Sequence, residues 1–262
     1  MVLALILALT GCKKVEEAPK DLDALAHFFW DEFDAEDERL VDGVANLHDA
    51  VNGERLDATE DGTLTPLTHA SIGVVGLKNK EPAKAQGLYI AGTYACDLDT
   101  LQAILSYPDQ AELYSNAYVE YDRTLTTSRQ KFLDGSAPDV SWDVRYVASI
   151  IGAKFTANIT ADLRRVSHEE SLLGDALVAR VWAPKPVVFD KEGTSKNIEQ
   201  DYQIEVWYER DRGEVVHLYG MWREASFGTG FEIDDDGVQR IMLNNMDAWD
   251  RDTEKLCEDG AP

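Results

Sequence analysis

Seven short segments between residues 87 and 227 alternate apolar with polar residues and are rich in β-branched and aromatic side chains. This two-residue periodicity is typical of half-buried β-strands. The predicted strands are 87–95, 117–126, 141–150, 154–166, 176–183, 200–209 and 214–227. Gly152 and the Asp-Arg-Gly run at 211–213 lie where tight turns are needed, so the pattern predicts a largely antiparallel sheet.

A helical periodicity precedes the strands. Residues 20–52 carry two successive apolar stripes with three- and four-residue spacing, and Asp and Glu lie on the other side. The stripes contain Leu22, Leu25, Ala26, Phe29 and Phe33, and then Leu40, Val44, Leu47 and Val51. We predict a helical hairpin over 20–52, ended by Asn52-Gly53, which suits a helix C-cap. Residues 53–86 lack a clear period and are predicted to be a connector.

Helical patterns also follow the first strand and the last one. Residues 97–113 fit two short helices, of which Asp97 or Asp99 is placed to cap the first and Pro108 to begin the second. Three aspartates at 234–236 suit a helix start. In the residues that follow, one helical stripe contains Val238, Ile241, Met242, Asn245, Trp249 and Leu256. The pattern predicts one long helix of about six turns, at 3.6 residues per turn.

The order of one strand, two short helices, six strands and a long helix over residues 87–257 resembles the helix-grip fold of the START and polyketide-cyclase-like superfamily. The resemblance implies an α+β domain in which a seven-stranded, curved antiparallel sheet grips the C-terminal helix. It also implies a cavity between the sheet and that helix. The helical hairpin would precede this domain, and residues 258–262 would form a short tail.

The N-terminal residues indicate export. The apolar run 2–10 is too short to span a bilayer, which needs about 20 residues, but it suits the apolar region of a secretory signal. Leu9-Thr10-Gly11-Cys12 resembles the lipobox of bacterial lipoproteins, which implies cleavage after residue 11 and acylation of Cys12. The basic region that precedes such a run in signal peptides is absent here, and the alternative is a buried strand or helix end before a cysteine.

This interpretation divides the start of the chain into a signal peptide at 1–11 and a tether at 12–19. We expect a palmitate-bearing lipoprotein of the bacterial cell envelope, on the outer membrane and facing the periplasm. Several acyl chains on Cys12 would anchor it stably, because a single chain binds a membrane only marginally.

The remaining two cysteines are Cys96 and Cys257. In an oxidising compartment they are expected to form a disulfide, and the alternative is two unpaired buried thiols. In the helix-grip fold the last strand pairs with the first, and the closing helix runs back along the first strand. The resemblance therefore implies that Cys96, at the end of the first strand, lies near Cys257, at the end of the last helix.

The charge balance excludes one class of partner. The chain has 49 Asp and Glu against 25 Lys and Arg, a net charge of -24. Such a surface repels phosphate backbones, so no nucleic-acid partner is expected, and only the acyl chains on Cys12 would hold the chain at a membrane.

No catalytic constellation, cofactor motif or zinc-site spacing is found in the sequence, so an enzyme is not the favoured class and no cofactor is expected. The segment 57–68 resembles an EF-hand loop at Asp57, Thr59 and Asp61, because oxygen side chains alternate along it. Position twelve is Thr68 rather than a bidentate Glu, and an Asp-Gly turn explains the segment more simply. We therefore predict no metal site.

Aromatic side chains are the main candidate ligand-binding groups. If the helix-grip interpretation holds, residues on the inner sheet face and the closing helix line the cavity, with Arg145 or Arg180 as polar contacts. The candidates are Trp142, Tyr146, Arg180, Trp182, Trp207, Trp222, Met242 and Trp249. The alternative for each is a place in the packed core, and an error of one residue in strand register would reverse its face.

Together these observations predict an envelope-anchored lipoprotein that binds a hydrophobic small molecule or lipid. The alternative is a non-catalytic structural or protein-interaction lipoprotein with a packed core and no ligand, in which the acidic hairpin contacts an envelope partner. The sequence does not identify that partner.

Overall fold

The computed structural model describes residues 17–53, 60–150, 153–167, 174–189, 196–211, 213–227 and 235–260. The predicted signal peptide and Cys12 lie outside these residues, as do Gly152 and two of the three calcium-loop candidates, Asp57 and Thr59. The description below concerns the remainder.

The main sheet strands occupy the positions that the periodicity predicts. In chain order they are β2 (Gln86–Ala95), β3 (Tyr118–Leu125), β4 (Asp139–Ile150), β5 (Ala153–Val166), β6 (Ala176–Trp182), β8 (Lys196–Asp211) and β9 (Glu214–Phe227). All neighbouring strands are antiparallel. Gly213 has a φ of 82° in the turn between β8 and β9, a conformation that glycine adopts without steric cost.

The prediction of seven strands is wrong, because the residues that the structure describes already form a nine-stranded sheet. The additional strands are β1 (Glu60–Leu64), inside the segment predicted as a connector, and β7 (Val187–Phe189). Strand β1 is an edge strand in which only Leu64 is buried, so its sequence shows no apolar alternation. Strand β7 has three residues, too few for a two-residue period to be recognised.

The sheet order is β1-β2-β9-β8-β6-β5-β4-β3, and β7 pairs with β5 and β8. The first long strand, β2, thus pairs with the last, β9, from Gln86 opposite Arg223 to Ala95 opposite Glu214. This pairing is the one that the helix-grip arrangement requires.

Seven α-helices and one short 3-10 helix (Pro82–Lys84) accompany the sheet in the described part of the chain. The α-helices are α1 (Leu22–Asp31), α2 (Asp37–Gly53), α3 (His69–Gly73), α4 (Leu98–Leu105), α5 (Gln110–Leu113), α6 (Arg129–Leu133) and α7 (Asp235–Asp259). The Asp97 side chain accepts a hydrogen bond from the backbone N–H of Thr100 and so caps α4. Asp21 caps α1 in the same way, through Ala24.

The two faces of the sheet have different coverings. The hairpin α1–α2 packs on what we call the outer face, where Trp30, Tyr202 and Trp222 belong to one large apolar cluster. Helices α4 and α7 cover the opposite, inner face. The molecule therefore has three layers, and the predicted hairpin shares a core with the sheet.

Candidate functional site

A cavity of about 260 Å³ lies between the inner face of the sheet and α7. Tyr118, Tyr121, Trp142 and Tyr146 form an aromatic wall at its β3–β4 end. Methionines from β9 and α7 form the other wall, and they are Met221, Met242 and Met246. Methionine side chains are flexible and polarisable, which suits an apolar surface that must adapt to different shapes.

Five of the eight predicted ligand-binding residues line this cavity. They are Trp142, Tyr146, Trp207, Met242 and Trp249. Trp249 also stacks on Tyr114, with ring centroids 4.1 Å apart. The helical stripe of α7 and the alternation of β4 therefore place these residues on the side that the sequence pattern predicts.

Arg180, Trp182 and Trp222 lie on the outer face, and the prediction that they line the cavity is corrected here. Arg180 Nη1 donates to Asp34 Oδ2 at 2.9 Å, and its guanidinium lies over the Phe33 ring. In β6 the inner residues are Ala179 and Val181, because neighbouring side chains of a strand point to opposite faces.

The other two corrected residues belong to the core under the hairpin. Trp222 donates from Nε1 to the Thr65 carbonyl at 2.8 Å and makes an edge contact with Trp30. Trp182 packs against the same outer cluster. Arg145, the alternative polar contact, also points outward and forms an exposed ion pair with Glu120, with 3.1 Å between Nη1 and Oε2.

Charged cavity residues that the sequence prediction missed are Arg123, Glu205 and Arg223. Arg223 is paired within the protein, because its Nη2 lies 2.7 Å from Asp201 Oδ2 and its Nε lies 3.2 Å from Oδ1. These residues sit two positions from an apolar inner residue of their strands. The two-residue strand period was the available signal, but the sequence analysis selects Arg145 and Arg180 as the charged candidates, and both lie on the outer face.

A buried charge cluster joins the sheet to α7 beside the cavity. His217 is completely buried on β9, and its Nδ1 lies 2.8 Å from Asp250 Oδ1 on α7. Its Nε2 lies 3.3 Å from Glu205 Oε2, without hydrogen-bond geometry, so that contact is electrostatic. The imidazole stacks on Trp207 with centroids 4.6 Å apart.

The protonation of this cluster follows from burial and charge. Burial lowers the pKa of His217, but the carboxylates of Asp250 and Glu205 outweigh it and raise that pKa to about 9. Burial raises the pKa of Glu205, and the opposing effect of His217 is smaller. At neutral pH the cluster thus contains an imidazolium between two acids.

The C-terminal half of α7 is attached to the rest of the fold at several points. A disulfide joins Cys96 to Cys257, with Cα atoms 5.2 Å apart. The Tyr114 hydroxyl lies 2.9 Å from Thr253 Oγ1, and the backbone N–H of Ala95 donates to Glu254. These contacts fix the position of α7 over the inner face.

Of the three calcium-loop candidates, the described residues contain Asp61 alone. Asp61 lies within β1, whose Gly62 and Leu64 pair with Tyr89 and Gly87 of β2. Within the ranges that the structure describes, no group of three or more His, Cys, Asp or Glu side chains is arranged to hold a metal ion. No helix in those ranges has both the length and the apolar character to cross a bilayer.

Comparisons with known proteins give similarity at the level of architecture. No protein-family model matches the chain, and no curated protein matches it. A START superfamily protein from Mycobacterium smegmatis is similar over 66% of this chain and 97% of its own, at 9% identity and a TM-score of 0.43. The Zhui aromatase/cyclase from Streptomyces sp. R1128 covers 66% of this chain and 94% of its own, at 10% identity and a TM-score of 0.43.

Human StAR-related lipid transfer protein 5 is similar over 85% of this chain and 95% of its own, at 6% identity and a TM-score of 0.46. At such scores and identities these similarities assign no activity to this chain. What the structure shows directly is an antiparallel sheet that covers a long C-terminal helix, with a cavity between them.

Proposed function

We propose that this protein binds a hydrophobic small molecule or lipid in the cavity between the sheet and α7. The cavity itself is the observation that carries the proposal, because protein interiors are otherwise close-packed. Its volume corresponds to about nine water molecules, at ~30 Å³ each. Aromatic, methionine and aliphatic side chains together form most of its wall, as in small-molecule sites generally.

Filling the cavity tests the proposal. Ala161 lines it from β5 and is 1% exposed, so Ala161→Phe would put a ring into the ligand space. We expect this variant to bind 1-octanol at least about tenfold more weakly, a loss of 1.4 kcal/mol. A change in the tryptophan emission, to which the cavity residues Trp142, Trp207 and Trp249 contribute, would measure the binding.

The matched control is Thr160→Phe, which adds the same ring to the opposite face of β5, where Thr160 contacts Asp143. It should bind 1-octanol as the unmodified chain does. Equal affinity in all three chains, or no binding by the unmodified chain, would contradict the proposal.

We also propose that the protein is held to the bacterial envelope by acyl chains on Cys12, which is the simplest role for Leu9-Thr10-Gly11-Cys12 after an apolar run. Cys12→Ala should abolish incorporation of labelled palmitate in cells and release the protein from the membrane fraction. Cys257→Ala, which removes another cysteine, should keep both. Labelling that survives Cys12→Ala would refute the anchor.

The alternative function, a partner contact through the hairpin, has less support. Leu25, Phe29, Leu40 and Leu47 of α1 and α2 are completely buried in the outer-face cluster. The apolar side of the hairpin is therefore used within the fold, and a partner would meet its acidic side.

A further inference from the structure

Arg123 has an unusual set of contacts at the aromatic end of the cavity. Its Nη1 donates to the carbonyls of Leu105 and Tyr107, each at 2.9 Å, and its Nε donates to the Tyr121 hydroxyl at 2.8 Å. The guanidinium lies 4.2 Å from the centroid of the Trp142 ring. Nη2 makes no hydrogen bond in the described part of the chain, and protein atoms do not bury it completely.

The charge of Arg123 is also not neutralised. Among the residues that the structure describes, no carboxylate lies within 4.0 Å of it, although acids outnumber bases almost two to one in the sequence. The other arginine of the cavity, Arg223, is paired with Asp201. Burial lowers the pKa of Arg123, because a desolvated cation without a counter-ion is unfavourable.

Capping of α4 explains part of this arrangement. Leu105 is the last residue of α4, and cations stabilise the carbonyl end of a helix. Arg129 contributes to the same end, since its Nη2 donates to the Ala103 carbonyl at 3.1 Å. Capping uses Nη1 of Arg123, however, and leaves the two N–H groups of Nη2 for a ligand.

We propose that Arg123 binds the anionic head group of a short amphiphile whose apolar chain lies in the cavity. The inference rests on the proposed function and specifies its ligand class. A guanidinium binds carboxylate and phosphate oxygens through charge-assisted hydrogen bonds, which are stronger than neutral ones. The methionine wall formed by Met221, Met242 and Met246 then contacts the chain.

The acidic group of the cavity does not oppose this arrangement. Glu205 is on β8, four strands from Arg123 on β3, which is about 19 Å along the sheet at ~4.8 Å per strand. Its Oε2 lies 3.3 Å from His217 Nε2, so its carboxyl group is paired with the imidazole. The positive end of the cavity is therefore the end at β3 and β4.

Binding of octanoate, octyl phosphate and 1-octanol to the full chain at pH 7.5, measured by calorimetry, tests the proposal. At least one of the two anions should bind at least about tenfold more tightly than the alcohol. Preference for octanoate or for octyl phosphate would identify a carboxylate or a phosphate head. Arg123→Gln should remove this preference while 1-octanol binding remains, and Arg123→Lys should keep part of it.

Two variants serve as matched controls. Arg145→Gln removes the same charge from the outer face of β4, and Arg129→Gln removes a cap of α4 without opening onto the cavity. Both should keep the preference for the anion. Loss of the preference in Arg145→Gln or Arg129→Gln as in Arg123→Gln would refute a specific role for Arg123.

The two proposals fail differently. If 1-octanol binds but neither anion binds more tightly to the unmodified chain, the head-group inference is wrong and hydrophobic binding stands. If none of the three probes binds, both are wrong. Should Arg123→Gln not fold, the other variants still test the inference. A retained preference for the anion in Arg129→Gln, together with a reduced preference in Arg123→Lys, would support it. An unchanged preference for the anion in Arg123→Lys would count against directed hydrogen bonds from the guanidinium.

Discussion

His217→Leu should lower the free energy of unfolding by about 3–5 kcal/mol at pH 7, because it leaves two buried carboxyl groups without their cation. His217 has no exposed surface, and Asp250 and Glu205 are 9% and 8% exposed. Neither acid can therefore recover its hydration when the imidazolium is lost. Urea unfolding followed by circular dichroism would measure the change.

Two controls separate charge pairing from packing. Adding Glu205→Gln and Asp250→Asn to His217→Leu should recover most of the loss, because the unpaired charges are then removed together. His69→Leu, at an exposed histidine whose Nε2 lies 3.9 Å from Glu81, should change stability by less than about 0.5 kcal/mol. If His217→Leu is no more destabilising than His69→Leu, the cluster is not a source of stability.

The same cluster predicts how stability depends on pH. The pKa of His217 in the folded protein, about 9, is raised above its ordinary value of 6.5, so the folded protein holds this proton more tightly. The contribution is therefore complete below pH 6.5 and is lost as the pH rises through 9. The difference between the folded and the ordinary pKa of His217 corresponds to about 3 kcal/mol of stability, at 1.36 kcal/mol per pH unit.

Unfolding curves between pH 6 and pH 10 should show this decrease in the unmodified chain. His217→Leu should lack it. The titratable groups beside the imidazole are Asp250 on α7, Glu205 on β8, Tyr94 on β2 and Tyr219 on β9, and burial raises the pKa of both tyrosines well above the usual value. A tyrosine with such a pKa does not titrate in this window, so a slope that persists in His217→Leu would contradict the assignment.

Reduction of the Cys96–Cys257 disulfide should lower the free energy of unfolding by about 2–5 kcal/mol. The two cysteines are separated by 161 residues, so the cross-link restricts a very long loop of the unfolded chain. Denaturant unfolding of a Cys12→Ser chain with and without dithiothreitol would measure the effect. Cys12→Ser removes the third thiol and prevents wrong pairing.

The control is Cys96→Ser with Cys257→Ser in the same background, whose stability should not respond to dithiothreitol. We expect the reduced chain to keep α7 docked at neutral pH, because the contact of His217 with Asp250 and that of Tyr114 with Thr253 remain. Equal stability of oxidised and reduced chains would show that the loop is already restricted when unfolded.

Several features of the site depend on strand register and show the limit of prediction from sequence. A period of two divides each strand into two faces, but it does not say which face meets α7 when both are covered. In β6, Val178 and Ala179 are both buried, one in the outer cluster and one at the cavity. For this reason the sequence pattern assigns Arg180 and Trp182 to the cavity, although in the structure they lie beneath the hairpin.

Tyr146 and Met242 were placed correctly for a related reason. Tyr146 shares its face with Trp142 along β4, and Met242 belongs to the apolar stripe of an otherwise polar helix. In each element the amphipathic pattern has one apolar direction, so no second covered face competes with it.

Local periodicity was sufficient to predict α1, α2, α7 and the seven longer strands, since burial of one face imposes a repeat on the residues. The pairing of β2 with β9, which brings Cys96 near Cys257, was implied by the resemblance of that element order to the helix-grip fold. The edge strand β1, the covering of the outer face by the hairpin and the unpaired guanidinium of Arg123 depend on contacts between distant segments. Such contacts leave no repeat in the sequence, so they became visible only in the folded chain.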